Sequence, residues 1–467
     1  MRPAALGETA RRPVSALGRF GWAMFDWSNQ PYFTLVTTFI FAPYFTSTVI
    51  GDTTRGQSVW GYAQAVAGVI IAFGSPVLGA IADAHGPKKP WIFAFQAIFV
   101  AACFALWWAV PGDASVVLPM LTAIVVASVA AEFSIVFNNA MLPSVAREGR
   151  LGRLSGQAWA LGYVGGLVSL ILVLFAFSLP EAPLLGLDKA SHEDDRIVGP
   201  LTGVWIAIFV LPLFLFTPDM PPRGLGVGRA TREGLRRFAR TVADAGRYGN
   251  LARYLIARML YFDGLTAIFA FGGIYAAGSF GWRAQDLGVF GIILSVFAAV
   301  GAFAGGWLDD RFGSKRTILI ALIGVLFASL GVVSIAVEPG AAGAERHTLL
   351  FFWSYDWRPP ANSAFFASPA EKVFLVFGIA IGIFGGPLQA ASRTMLSRLS
   401  PPGMVAEFYG LYALSGKATA FFAPFAIAVA TETFASRRVG VATVLLFLLT
   451  GLALMRGVRE ERAGAPV

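Results

Sequence analysis

The chain has 467 residues, 56% hydrophobic and 13% charged, with a mean hydropathy of +0.67 and a formal net charge of +9. A soluble domain carries about 25% charged residues, so this composition excludes one. The long, uniformly apolar runs also exclude a spanning β-barrel, whose strands alternate in period two over about 10 residues. One cysteine, Cys103, rules out an internal disulfide. His85, His192 and His347 fall in loops or at helix ends, so neither a metal site, buried histidine chemistry nor a cofactor is expected.

In chain order, twelve apolar runs reach the roughly 20 residues of a spanning helix. They lie near 20–45, 58–82, 90–110, 114–138, 155–178, 199–217, 252–277, 286–308, 316–337, 371–391, 406–431 and 438–456. The expectation is an all-α integral membrane protein. The N-terminus has no apolar region or cleavage site of a removable signal. Lysines and arginines number 25 on the side of the termini and eight in the opposite loops. By the positive-inside rule both termini are expected in the cytoplasm of a bacterial inner-membrane protein. The positive charge thus follows topology, and no nucleic acid is expected.

The first run, Trp22 to Tyr44, holds Asp26, Ser28, Asn29 and Gln30. A carboxylate in lipid is costly and normally faces a protein interior or a wet cavity. Asp26, Asn29, Gln30 and Phe33 follow i, i+3, i+4, i+7 spacing and should share one helix face, a cavity wall or a buried hydrogen-bond patch. Pro31 is placed to kink the helix. Other deep polar groups are Glu132 in helix four, Tyr163 in helix five, Arg258 and Asp263 in helix seven and Lys417 in helix eleven. Asp263 and Lys417 lie roughly 15 Å into their helices. Arg393 in helix ten is a further deep candidate, nearer the inner surface, where charge pairing and a snorkelling side chain are the two readings. Between helices six and seven, residues 218–250 form a basic linker. Leu235, Phe238 and Val242 recur there at helical spacing, as on an amphipathic helix lying on an anionic leaflet or in a solvated linker. Residues 339–370 form the longest outer loop, rich in aromatics.

The two sides of the linker repeat each other. Gly79, Asp83, Gly86, Lys88 and Lys89 match Gly306, Asp310, Gly313, Lys315 and Arg316 at a shift of 227. Met141, Leu142, Gly149, Gly156 and Gly162 match Met395, Leu396, Gly403, Gly410 and Gly416 at a shift of 254; Phe25-Asp26 matches Phe262-Asp263. Two six-helix bundles, 1–217 and 251–467, follow, enclosing a midplane site. Asp83 and Asp310 are placed to accept hydrogen bonds from a neighbouring helix N-terminus or an arginine. Glycines allow close helix approach, and the basic residues hold the loop inside.

The doubled G-x-x-x-D-x-x-G-x-[KR]-[KR] pattern, with Arg311 in its second copy, resembles the signature of the major facilitator superfamily. In that superfamily the motif acts as a gate latch. Phe25-Asp-Trp-Ser-Asn-Gln-Pro-Tyr32, Asn138-Asn-Ala-Met-Leu-Pro143, Leu154 to Gly166, Ala257 to Gly264 and Ser415-Gly-Lys417 resemble the vacuolar-effluxer-like (UMF) family. That resemblance implies twelve helices and transport, with amino-acid efflux in the fungal members. Gly162-Tyr-Val-Gly165-Gly166 resembles part of the helix-five motif of proton antiporters, a lean towards export. With no nucleotide motif, the expectation is a monomeric, non-enzymatic secondary transporter of a small polar or amphipathic solute, coupled to protons; the alternatives are an uncoupled facilitator of a small metabolite or a non-transporting membrane sensor. Arg258 or Lys417 would pair with Asp26 or Asp263 around a zwitterion, and one of the two aspartates would carry the proton; internal salt bridges are the competing arrangement.

Overall fold

The computed structural model describes residues 13–243, 245–282, 284–339, 344–358 and 365–460. Expectations attached to 1–12, to 244 in the linker, to Arg283, to 340–343 and 359–364 of the long loop, and to 461–467 lie outside the described residues, as does the side chain of Val242. In chain order the principal helices are α1 (Ala16–Pro31), α2 (Thr53–His85), α3 (Lys89–Ala105), α4 (Val117–Val145), α5 (Leu151–Val173), α6 (Val198–Phe209) and α7 (Val227–Ala243). There follow α8 (Gly249–Phe280), α9 (Ala284–Phe312), α10 (Ser314–Val333), α11 (Pro369–Leu399), α12 (Val405–Lys417), α13 (Phe422–Thr433) and α14 (Arg437–Arg456). Among the described residues, eleven helical stretches are long and apolar enough to cross a bilayer, α12 and α13 together making one.

The first expected span is not a single α-helix. After Pro31 the chain becomes π-helical over Tyr32–Phe39, breaks at Ile40 (φ −123°, ψ −67°) and resumes as Phe41–Tyr44 and Phe45–Val49. Proline has no N–H, and its ring crowds the carbonyl four residues back. That carbonyl, on Trp27, accepts from Trp205 Nε1 at 3.2 Å instead, and the two indoles stack with centroids 5.6 Å apart.

The long loop departs from expectation too. It is entered through a three-stranded antiparallel sheet, β1 (Ala336–Pro339), β2 (Glu345–Leu349) and β3 (Trp353–Trp357), with Ala336 opposite Thr348 and Glu345 opposite Trp357. In β2, buried His347 and Leu349 alternate with outward neighbours, the period two of a strand. Tyr355 accepts the Ala370 N–H at 3.0 Å, which ties the sheet to the start of α11.

The buried apolar side chains form three clusters. Two draw on residues 22–213 and the third on 251–458 with Val136 and Ala140. The chain thus packs as two bundles. Between them α7 leaves Leu235 45% exposed and turns Ala230 and Thr241 inward. At Gly234 a Cβ would sit 2.7 Å from the Ile81 Cα, so α7 is pressed backbone to backbone under the end of α2. A small-residue stripe permits closer contact than bulky side chains do.

The face bearing the α2–α3 and α9–α10 turns is called the motif face. Gly86 (φ +108°) and Gly313 (φ +93°) make those turns in a region that other residues rarely adopt. There the bundles cross twice at glycine. A Cβ on Gly156 would lie 2.4 Å from the Ala302 carbonyl oxygen on α9, and one on Gly410 would lie 2.4 Å from the Pro76 Cα on α2. Overpacking typically costs about 1–3 kcal/mol. Gly156→Leu and Gly410→Leu should each lower the melting temperature accordingly. Gly61→Leu, where nothing lies within 4 Å, should leave it unchanged in a thermal-shift measurement.

Candidate functional site

The deep polar residues are brought together by α1, α4, α5, α11 and α12. On α5 the glycines face α1: a Cβ on Gly165 would lie 2.9 Å from the Trp27 carbonyl oxygen, and one on Gly162 3.5 Å from the Asp26 Cβ. Asp26 is thereby held in the seam between the bundles, with its side chain 17% exposed.

Its partner is Arg393. The snorkelling reading of this arginine is overturned: α11 runs on to Leu399, and Arg393 is 3% exposed. From the C-terminal bundle its guanidinium enters a socket made wholly by the other bundle. It donates to Asp26 Oδ2 (2.9 Å), Asn139 Oδ1 (3.2 Å), Ser155 Oγ (2.9 Å) and the Ser155 carbonyl (2.7 Å). The rings of Trp22 and Trp159 lie 5.1 and 5.7 Å from its central carbon. Tyr254 and Tyr409 brace the α11 backbone by donating to the Ser392 and Arg393 carbonyls.

Two more bridges join the bundles. Lys417 meets Glu132 at 2.9 Å. Lys417 ends α12 in mid-membrane, where the carbonyls of a helix C-terminus favour a cation. Gln389 Nε2 donates to Tyr163 at 2.6 Å. Beyond the Arg393 layer, away from the motif face, lie two cavities that share Phe33. One of about 310 Å³ is lined by Phe33, Trp60, Gln64, Glu132 and Lys417. The other, about 210 Å³, is lined by Gln30, Phe33, Tyr163 and Ser295.

Other expected members lie elsewhere. Asn29 is buried in its own bundle, accepting from Gln96 at 3.0 Å and donating to the Phe25 carbonyl. It lies about 60° round the helix from Asp26, enough to turn it inward while Gln30 and Phe33 reach the cavities. Arg258 makes no direct ion pair with an acid among the described residues, acting on Asp263 only at longer range. It donates to the Tyr412 carbonyl (2.8 Å) and Ser415 Oγ (2.9 Å), with its guanidinium 3.4 Å from the Tyr412 ring centroid. Asp263 is 3% exposed, and its Oδ2 has no hydrogen-bond partner among the described residues.

At the motif face each repeated aspartate binds a helix start in the opposite bundle. Asp83 accepts the Glu407 N–H of α12 at 2.9 Å and Lys88 Nζ at 2.8 Å. Asp310 accepts the Gly152 and Arg153 N–H groups of α5 at 2.7 and 3.2 Å. Lys88 is buried rather than lying at the surface; burial pushes its ammonium below the ordinary value, against the opposing pull of Asp83. His85 faces the Leu225 carbonyl at 3.2 Å. Lys89 and Lys315 donate to the last carbonyls of the closing helix of their own bundles, Phe214 and Arg456. Arg311 and Arg316 are exposed; the former lies over the Trp307 and Phe312 rings.

Sequence reading missed several participants. Asp309 accepts from Ser314, Thr394 and Arg398, and Arg398 also pairs with Glu460. Glu460 accepts the Ser314 and Lys315 N–H groups at the start of α10, while Asp219 accepts those of Lys88 and Lys89 at the start of α3. Pro87 stands where Ser314 does and has no N–H, so the first acid binds one residue further along. The signal for both was an acid just past the last helix of each bundle. Arg393 was findable as well, since the 254-residue register pairs it with Asn139.

Removing one partner of a buried ion pair typically costs about 3–5 kcal/mol, whereas replacing both by apolar groups costs far less. Arg393→Met should therefore destabilise the protein strongly, and Arg393→Met with Asp26→Leu should recover part of the loss. A double-mutant cycle read by melting temperature checks this.

Comparison with known proteins fits this architecture. The chain is 23% identical over 449 residues to the uncharacterized MFS-type transporter YxiO of Bacillus subtilis, covering 94% of each chain. It is 23% identical over 326 residues to autophagy-related protein 22-1 of Neosartorya fischeri, covering 66% of this chain and about half (48%) of that protein. The crystal structure of the E. coli fucose:proton symporter superposes with a TM-score of 0.67 at 12% identity, covering 96% of this chain and 98% of that one. The fold is that of the major facilitator superfamily, and the chain is a multi-pass membrane transporter rather than an enzyme. Residues 45–151 and 149–465 match the family described as vacuole effluxer Atg22 like, and the chain belongs to that family.

Proposed function

We propose that this secondary transporter moves a small zwitterionic solute, an amino acid being the first candidate, out across a bacterial inner membrane by proton-coupled alternating access. The carrying observation is the Glu132–Lys417 pair, with side chains 19% and 36% exposed beside the 310 Å³ cavity. A zwitterion needs one anionic and one cationic contact, and this pair offers both. While the site is empty the two charges neutralise each other, which spares each the cost of lone burial. Phe33 and Trp60 supply apolar wall for the solute's body.

Segments 1–217 and 251–467 act as the moving bodies and 218–250 as their tether. The basic bias of the motif face supports a cytoplasmic position for it and for both termini. In this reading the two aspartate latches and the Arg393 socket hold the cytoplasmic side closed while the cavities face outward. The effluxer family supports the direction. Asp263 is the coupling candidate: its counterpart Asp26 is neutralised by Arg393, whereas the counterpart of Arg393 is Asn139, which has no charge to offer Asp263.

In proteoliposomes, Lys417→Ala and Glu132→Gln should each lower amino-acid transport at least about tenfold, or about 1.4 kcal/mol, with the melting temperature retained. Unchanged transport in both would sink the site. Asp263→Asn should abolish accumulation driven by a proton gradient while counterflow survives. Accumulation that is indifferent to a protonophore would overturn the coupling.

A further inference from the structure

On the motif face, Arg223, Arg237, Arg240 and Arg247 converge with Gly403 and Met404 on a cavity of about 410 Å³. Arg223, Arg240 and Arg247 are exposed, so solvent screens part of their mutual repulsion, and an anion between the four guanidinium groups would relieve the rest. Arg237 is engaged by Glu233 at 2.9 Å, and buried Glu407 stands behind the cavity with its N–H on Asp83. Arg240 feels Glu233 only at longer range, and Arg223, Arg240 and Arg247 make no direct ion pair among the described residues. The basin is built rather than incidental. The Arg223 N–H donates to the His85 carbonyl at 3.1 Å, which fixes its backbone. Its guanidinium lies where residue 403 has no side chain: a Cβ there would sit 3.0 Å from a guanidinium nitrogen. One residue past Met404, which gives no side-chain cap, α12 begins, and its positive end adds to the field.

The walls belong to different bodies. Arg237 and Arg240 ride on α7, which is clamped to α2 through Gly234. Gly403 and Met404 form the turn into α12. When α12 leaves α2, breaking the Asp83 contact to Glu407, the basin splits. We propose that this basin binds a phosphate-bearing anion and that occupancy favours the closed motif face. A ligand that recognises only the assembled basin must shift the equilibrium towards it. The linkage rests on the alternating-access reading; the binding does not. Lipid headgroup and free phosphate share this chemistry, so the test separates them.

The full chain, carrying Cys103→Ala and spin labels at Glu148→Cys and Arg311→Cys, would be placed in nanodiscs. One set is phosphatidylcholine alone, titrated with inorganic phosphate. The other contains phosphatidylglycerol and no phosphate. The expected result is saturable thermal stabilisation in one set, weakened at least about tenfold in apparent affinity by Arg240→Gln with Arg247→Gln. Arg232→Gln with Arg236→Gln removes the same charge from exposed positions of α7 outside the cavity and should leave it unchanged. The responding set identifies the source. No stabilisation in either set, or equal loss in both double variants, overturns the site. Stabilisation without a shift of the label distances towards the short population overturns the linkage. Labels that also stay fixed after Asp83→Asn would instead overturn the alternating-access reading.

Discussion

A guanidinium has five donors and no way to lose its charge, so burying one commits everything around it. Arg393 is carried by the C-terminal bundle and satisfied by the N-terminal one, through Asp26, Asn139, Ser155 and two indoles. That single insertion explains why α1 keeps a carboxylate in the membrane and why Asn139 stands where the repeat would place a second arginine. It also places the cavities on one side of a polar layer. Separating the bundles at this level strands a charge unless water or solute replaces the socket.

The motif face repeats the same logic with helix ends. The first N–H groups of a helix lack intrahelical partners, and a carboxylate there is favoured by the local dipole. Asp83 and Asp310 exploit this across the bundle interface, on α12 and α5. Asp219 and Glu460 exploit it within each bundle, on α3 and α10. The within-bundle pair fastens the end of each bundle to its second hairpin.

Much of this was legible in the residues. Apolar run lengths placed the spans, and the 227- and 254-residue registers exposed the duplication and the aspartates that bridge the bundles. The three-dimensional pairing was not legible. Asp26 finds Arg393 rather than Arg258 or Lys417, because helix ends are poorly marked where a charge interrupts an apolar run. Placing Arg393 nearer the inner surface left snorkelling open beside charge pairing. Asn29 shows the limit of a helical-face argument, since 60° of rotation decides between cavity and core. The contact face of α7 was not legible, because glycine and alanine carry no hydrophobic signal even when they make the tightest contact. The sheet over 336–357 was hidden by strands of four or five residues inside a region that reads as loop.

The replacement of the Trp27 backbone partner by Trp205 has a mechanical consequence. In an intact α-helix, bending stretches backbone hydrogen bonds; at Pro31 that bond is already absent, and a side chain of the same bundle holds the freed carbonyl. The chain beyond it, with Gln30 at the joint and Phe33 and Phe39 further along, can tilt over the cavities while Asp26 stays anchored one turn below. On the alternating-access proposal, this joint would let one helix close over a solute by itself, before either bundle moves as a body.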